Sequence, residues 1–250
     1  MSAHVSTHPL IKHKLALLRD TNTEPKIFRE LVAEISQLLF FEATTDLALT
    51  DVTVKTPMGN CASQVAWQRV GIIPILRAGL GMSEALLRVL PKASVLHLGL
   101  YRDHHTHQPI TYYNKLPSQP NIDIGYVVDP MLATGGSATA AISILKNWGL
   151  KEIRFIGIIA APEGVAAVAD QHGDVGMYLA AIDSHLDDDA YIVPGLGDEQ
   201  QPVRPAGGLD GAADHFAGVL RGRDPVGDHP DRHRGVDTQT AGREVGTVAQ

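Results

Sequence analysis

An acidic residue followed by a glycine-rich turn is the first sign of chemistry in this 250-residue chain. Asp129 follows the apolar run 124–128, and Thr134-Gly135-Gly136-Ser137 comes shortly after it. Apolar side chains recur at helical spacing over residues 137–148, so the turn opens a helix. Main-chain N–H groups at a helix start, with glycines that admit an anion closely, can hold a phosphate. Asp129 would then face ribose hydroxyls or a metal ion.

The same pattern has a plainer interpretation, because a strand, an aspartate and a Gly-Gly turn also form ordinary tight connections in α/β proteins. The turn by itself leaves both interpretations open. Two better-known nucleotide motifs do not occur in this run, namely the dinucleotide glycine pattern and the Gly-Lys-Ser/Thr phosphate loop. The sequence therefore gives little support to a nicotinamide or P-loop nucleotide site.

Apolar segments and helical patterns alternate along the chain. Strands are predicted at 70–76, 95–100, 124–128, 153–160 and 176–182, and helices at 26–41, 82–89, 137–148 and 164–171. This order predicts an α/β fold, a largely parallel sheet flanked by helices, with residues 26–41 as an N-terminal helical arm. Ligands of such sheets collect at the carboxyl ends of the strands. Four charged residues follow strands there: Arg77, Arg102, Asp129 and Asp183.

Composition narrows the class of protein. The formal net charge is −7, which argues against a general binder of nucleic acid or of anionic membranes. Cys61 is the one cysteine, so neither an intramolecular disulfide nor a multi-cysteine metal site is expected. With no charged-then-apolar leader and no long apolar run, we expect a cytoplasmic protein without a membrane span.

Residues 101–120 have no clear period and predict a polar loop or hairpin long enough to move over a site. The cluster His104-His105-x-His107 lies in it, but no nearby residues complete a ligand set, so we predict no protein-held metal.

Residues 199–250 contain no Lys, Ile, Met, Asn, Ser or Tyr, and only nine of the fifty-two are Leu, Val or Phe. We expect this tail to be disordered or loosely packed.

The run 127–137, Val-Val-Asp-Pro-Met-Leu-Ala-Thr-Gly-Gly-Ser, closely resembles the phosphoribosyl diphosphate loop of the type I phosphoribosyltransferases, in the form found in their uracil-specific branch. Residues 8–15, 41–44, 74–82, 161–164 and 191–198 resemble the same family in the same order. The resemblance covers residues 4–198.

The resemblance implies a reaction in which uracil and 5-phosphoribosyl 1-diphosphate (PRPP) give UMP and diphosphate. It implies catalytic roles for Arg77, Arg102, Asp129 and Asp198. Implied contacts to PRPP come from these four and from Pro130, Met131, Leu132, Ala133, Thr134, Gly135, Gly136 and Ser137. Uracil is implied to bind at Tyr191, Ile192, Gly197, Asp198 and Glu199, in part through main-chain groups.

Further expectations follow from the resemblance. Mg²⁺ would be held mainly through the substrate diphosphate, and residues 101–120, the hood segment, would cover it. The protein would be a homodimer or a higher homo-oligomer, and GTP activates some members. Two alternatives stay open: a regulatory protein that senses PRPP or a nucleotide, and a catalytically impaired relative.

The sequence departs from the family at two places. Most relatives carry two adjacent acids where this chain has Asp129 alone. Relatives continue after the segment 195–198 with Ala-Gly-Asp-Arg and a short closing segment, whereas this chain continues Glu199-Gln200-Gln201-Pro202. A frame change near the end of the gene would produce such a switch. We therefore predict a phosphoribosyltransferase domain at 1–198, a divergent tail at 199–250, and reduced activity or stability.

Overall fold

A computed structural model describes residues 3–102 and 109–196 of the chain. The helices are α1 Pro9–Leu18, α2 Pro25–Ala43, α3 Leu80–Val89, α4 Gly136–Trp148 and α5 Pro162–Gln171. The strands are β1 Ala3–Val5, β2 Leu49–Thr56, β3 Gly59–Ala66, β4 Val70–Leu76, β5 Ser94–Val95, β6 Leu98–Arg102, β7 Pro109–Asn114, β8 Ile124–Val128, β9 Met131–Leu132, β10 Glu152–Ala160, β11 Gly176–Ile182, β12 His185–Leu186 and β13 Ile192–Val193.

One large sheet organises the fold. Its strand order is β1-β11-β10-β8-β4-β6-β7, with β5 beside β4 and β9 beside β10. The β6–β7 pair is antiparallel and the other pairs described in this sheet are parallel. The prediction of an α/β fold with a largely parallel sheet is thus confirmed.

Helices cover both faces of this sheet, and the strands serve two cores. Ile72 of β4 and Tyr126 of β8 pack with α1, α2 and α3 on one face. The next residues along these strands, Ile73 and Val127, pack with α4 and α5 on the other. Successive side chains of a strand point to opposite faces, so a strand buried on both reads as a continuous apolar run.

Helix α1 and the β2–β3 hairpin are among the described elements that were not predicted. Helix α1 has the buried spacing Ile11, Leu15, Leu18 and a proline at its start, but it is short. The positions of the β2–β3 hairpin are exposed or half-buried throughout, and none of them belongs to the two described core clusters. A two-residue turn joins its strands in a continuous antiparallel register from Leu49↔Ala66 to Thr56↔Gly59.

The hood segment begins as an antiparallel hairpin, because β6 pairs with β7 from Leu98↔Asn114 to Arg102↔Pro109. The histidine cluster at 104–107 and the tail at 199–250 lie outside the described residues. Among the helices that are described, none combines the length and the apolar character needed to cross a membrane.

Candidate active site

The carboxyl edge of the sheet brings Arg77 and Asp129 to neighbouring strands. Strands β4 and β8 pair in parallel from Val70↔Ile124 to Pro74↔Val128, so the loops that follow them leave the sheet side by side. The turn after β4 lies directly over the end of β8, since a Cβ at Gly79 would sit 2.4 Å from the Val128 carbonyl oxygen. A glycine at 79 is therefore required for this close approach.

The loop from Asp129 to Ser137 is held by a main-chain hydrogen bond to β10 and by a hydrogen bond within the loop. The Asp129 N–H donates to the Ile156 carbonyl at 3.2 Å, and the Met131 N–H donates to Asp129 Oδ1 at 3.3 Å. Helix α4 begins at Gly136, with Gly135 in the left-handed region at φ +80°. The first N–H groups of a helix have no intrahelical acceptor, and they carry the positive end of its dipole.

The two adjacent glycines of this loop are glycines for different reasons. A Cβ at Gly135 would lie 2.9 Å from both the Ala167 Cβ and the Gly164 carbonyl oxygen, so α5 packs directly against the turn. A Cβ at Gly136 would meet nothing nearer than the Thr134 hydroxyl oxygen at 3.8 Å. The protein packs tightly behind Gly135 and leaves room at Gly136, beside the helix start, where an anion could approach.

A buried histidine ties the helix of this loop to α5. His172 Nε2 lies 3.0 Å from the Thr139 carbonyl oxygen and 3.1 Å from the Ser143 hydroxyl oxygen. His172 caps the end of α5, and its side chain is buried. Sequence reasoning missed this contact, because a lone histidine 29 residues from its partner carries no local pattern.

Asp129 sits in a low-dielectric position at the end of β8. Burial raises the pKa of its carboxyl to about 7, and the hydrogen bond from the Met131 N–H offsets part of that rise. The residue as a whole is half-buried, so one side still meets solvent. A carboxylate placed there can accept hydrogen bonds from sugar hydroxyls.

Arg77 follows β4 after a cis Leu76–Arg77 peptide bond. Its side chain also lines a cleft of about 600 Å³ between α2 and α3. Six other charged residues also line that cleft: Lys26, Arg29, Arg88, Glu30, Glu34 and Glu84. Arg102 is the last residue of β6, which pairs with β4, so both arginines lie at the carboxyl ends of neighbouring strands.

The segment implied in base recognition forms a small hairpin against the end of β11. Strand β13 pairs antiparallel with β12 through His185↔Val193 and Leu186↔Ile192. The Tyr191 N–H donates to Asp187 Oδ1 at 2.9 Å. Tyr191 and Ile192 are thus placed by the hairpin, whereas Gly197, Asp198 and Glu199 lie outside the described residues.

Comparisons with known proteins identify the family to which this chain belongs. The family model described as uracil phosphoribosyltransferase matches residues 5–200. The chain belongs to the uracil phosphoribosyltransferase family. The resemblance stated from the sequence is thereby confirmed, and the match ends within two residues of Asp198, where the family pattern was seen to stop.

Relatives in this family align over nearly their whole length. The uracil phosphoribosyltransferase of Roseiflexus castenholzii is 58% identical over 194 residues, which are 78% of this chain and 93% of that protein. That of Desulfitobacterium hafniense strain DSM 10664 / DCB-2 is 54% identical over 196 residues, 78% and 94% of the two chains. Among solved structures, the AQ2163 protein of Aquifex aeolicus matches at 34% identity with a TM-score of 0.74, covering 78% and 94%.

The carboxyl edge of the large sheet carries the segments that the uracil phosphoribosyltransferase resemblance assigns to substrate binding. Its centre holds the Asp129 loop, its β4 side holds Arg77 and the end of β6, and its β11 side holds the base hairpin. The described residues therefore bring the predicted phosphate, diphosphate and base segments to one side of one sheet.

Proposed function

We propose that this chain transfers the phosphoribosyl group of PRPP to uracil and releases diphosphate, forming UMP. The observation that supports this proposal most is the loop between β8 and α4, which begins with the Asp129 carboxyl and ends at a helix start with open space at Gly136. A 5-phosphorylated sugar has the two groups that this loop can take, an anion and adjacent hydroxyls.

The reaction breaks the bond between the anomeric carbon of the ribose and diphosphate, and it forms the bond to a ring nitrogen of uracil, which loses its proton. Positive charge develops on the sugar and negative charge on the leaving group. The N–H groups from Thr134 to Ser137 hold the 5-phosphate, and Asp129 accepts hydrogen bonds from the ribose. Arg77 and Arg102 stabilise the departing diphosphate, with Asp198 near it. No covalent nucleophile is needed, so catalysis consists of positioning and charge stabilisation.

Mg²⁺ belongs to this proposal as an ion held mainly by the diphosphate. It prefers oxygen ligands and commonly binds through one or two carboxylates together with substrate phosphates. In the described ranges no three His, Cys, Asp or Glu side chains come together, while Asp129 offers a carboxylate at the loop. This carboxylate would supplement the diphosphate oxygens, which would mainly hold the ion. When bound, the ion would neutralise charge on the diphosphate.

Uracil is read in this proposal by the segment Tyr191 to Glu199, mainly through main-chain groups of Ile192 and Gly197. A pyrimidine edge carries both donors and acceptors, and main-chain N–H and C=O groups can match them. The hairpin that holds Ile192 supports this assignment, since strand pairing fixes its main chain.

We extend the proposal to a homodimer or higher homo-oligomer that GTP activates. The β2–β3 hairpin supports self-association, because it exposes Leu49, Met58, Val65 and Trp67, and an isolated two-stranded hairpin is marginally stable in water. Light scattering on the purified full chain tests the assembly, and a single mass equal to one chain would contradict it. Initial rates with and without GTP test the activation.

The deciding experiment is an assay of the full chain with radiolabelled uracil, PRPP and Mg²⁺. We expect labelled UMP, no competition by adenine, hypoxanthine or orotate, and a large loss of rate in Asp129→Asn. PRPP binding without UMP would favour a sensor or an impaired enzyme. Consumption of another base would overturn the substrate assignment.

A further inference from the structure

An ion pair beside the β12–β13 hairpin, which we call the base hairpin, joins the end of α1 to the end of β11. Arg19 caps the end of α1, and Asp183 follows β11. Arg19 Nη1 donates to Asp183 Oδ2 at 2.9 Å and Nη2 donates to Asp183 Oδ1 at 2.5 Å, so the guanidinium and the carboxylate meet as two forks. The Asp183 side chain is only 4% exposed and that of Arg19 23%.

Both main-chain groups of Gly195 are bound to this pair. The Gly195 N–H donates to Asp183 Oδ2 at 3.0 Å, and Arg19 Nη1 donates to the Gly195 carbonyl oxygen. The pair therefore fixes the position and the orientation of one residue of the base loop from behind.

Gly195 in turn lies directly against Ile192. Its φ is +71°, and a Cβ at this position would sit 2.5 Å from the Ile192 carbonyl oxygen. A displacement of Gly195 would therefore be transmitted to the Ile192 main chain. On the other side of the loop, the Ser184 N–H and hydroxyl both donate to the Val193 carbonyl oxygen, at 2.9 and 2.7 Å.

We propose that Arg19 and Asp183 are positioning residues for the base, which set uracil affinity through Gly195 and Ile192 without touching the substrate. This inference rests on the proposed function. It assigns a role in substrate recognition to α1, 164 residues away from Asp183 in sequence. The phosphate cradle at Gly135 to Ser137 belongs to a different loop, so the pair should leave PRPP binding largely unchanged.

Conservative variants give the test. In Arg19→Lys a single ammonium cannot reproduce the fork and also reach the Gly195 carbonyl. In Asp183→Asn one oxygen can still accept from Arg19 Nη1 and the Gly195 N–H, which share Oδ2, but the NH2 group then faces Arg19 Nη2 donor to donor and the negative charge is lost. We expect the KM for uracil to rise about tenfold to a hundredfold in each, because small misplacements of contacting groups have effects of this size. The KM for PRPP should change less than about threefold.

The matched control is another forked Arg–Asp pair. Arg69 binds Asp123 through Nε and Nη2, at 3.1 and 2.6 Å, where β4 and β8 begin, on the opposite edge of the sheet. We expect Arg69→Lys to keep both KM values. Ser184→Ala is a milder second variant, because it removes only the hydroxyl bond to Val193, and a smaller rise in the uracil KM is expected.

The outcomes separate this inference from the proposed function. If the unmodified chain makes no UMP, the proposed function fails. If it makes UMP but folded Arg19→Lys and Asp183→Asn both keep its uracil KM, the positioning role is refuted, whatever Ser184→Ala does. Equal rises in both KM values, in step with a lower melting temperature, would also refute it, because the pair would then be only structural.

Discussion

In the proposed mechanism Asp129 accepts hydrogen bonds from the ribose, so its protonation should control that contact, and its replacement by asparagine gives the sharpest test of the site. Burial raises the pKa of this carboxyl to about 7. The Asp129 carboxyl is then ionised in about a tenth of the molecules at pH 6 and in about nine tenths at pH 8. Only the ionised form accepts hydrogen bonds with both oxygens. We therefore expect kcat/KM for PRPP to rise roughly tenfold between these pH values, since this ratio reports groups of the free enzyme.

The assay measures initial rates at saturating uracil and low PRPP from about pH 5.5 to about pH 8.5 for the unmodified chain and Asp129→Asn, a range that brackets the expected midpoint. PRPP has phosphate groups that titrate in the same range, but they affect both proteins equally. The ratio of the two activities therefore isolates Asp129. A ratio that does not vary with pH, or that has its midpoint near the ordinary aspartate value of about 4, would refute the assignment.

The same substitution makes a prediction for stability, with the opposite sign. A carboxyl whose pKa is higher in the folded state stabilises the fold most below its unfolded pKa, and this stabilisation is lost as pH rises to about 7. If the Asp129 carboxyl were completely shielded from solvent, its ionisation would lower the free energy of unfolding by about 4 kcal/mol at pH 8. Because the residue is partly exposed, we expect a loss of about 1–3 kcal/mol. Asparagine does not ionise, so we expect Asp129→Asn to unfold at a higher denaturant concentration than the unmodified chain at pH 8. The unfolding midpoints of Asp129→Asn and the unmodified chain should lie closer together at pH 4.

Three other perturbations test separate features. Gly135→Ala should lower the free energy of unfolding by about 2–3 kcal/mol, because residue 135 has a left-handed backbone and close contacts behind it. Gly136→Ala should change the free energy of unfolding by less than about 1 kcal/mol. Equal losses for the two variants in denaturant titrations would contradict this prediction. The Arg154 guanidinium lowers the pKa of Asp46, so Asp46→Asn should cost up to about 1 kcal/mol at neutral pH, and this difference should vanish as pH falls through the folded-state pKa. Replacing residues 199–250 by the short ending of a relative should raise kcat/KM for uracil, and identical turnover and melting temperature would count against an impaired base loop.

The central sheet and its helices are predictable from the sequence because their patterns are local. Strands β4, β8 and β10 are short apolar runs buried on both faces, and α4 has the glycine at each end that marks its limits. The β2–β3 hairpin has no such pattern. In the described structure its strands stay exposed or half-buried, so burial in the core does not produce an apolar run there.

The site divides in the same way. The Asp129 loop could be identified from contiguous residues, because one turn supplies both the carboxyl and the helix start. The Arg19–Asp183–Gly195 cluster could not. Asp183 is recognisable as a residue after a strand, but nothing near Arg19 in sequence indicates that it meets Asp183 or the main chain of Gly195.

This division has a physical reason in the two kinds of contact that the proposed mechanism assigns to PRPP and to uracil. A phosphate is bound by main-chain N–H groups whose direction a helix start already fixes, so a single local segment suffices. A base read through the main chain of a loop has no such built-in frame, since the loop's own groups must face the ligand. Something behind the loop must hold its remaining N–H and C=O groups, and a forked ion pair does this for Gly195. We therefore expect substitutions at the Asp129 loop to act mainly on PRPP, and substitutions at the distant Arg19 to act mainly on uracil.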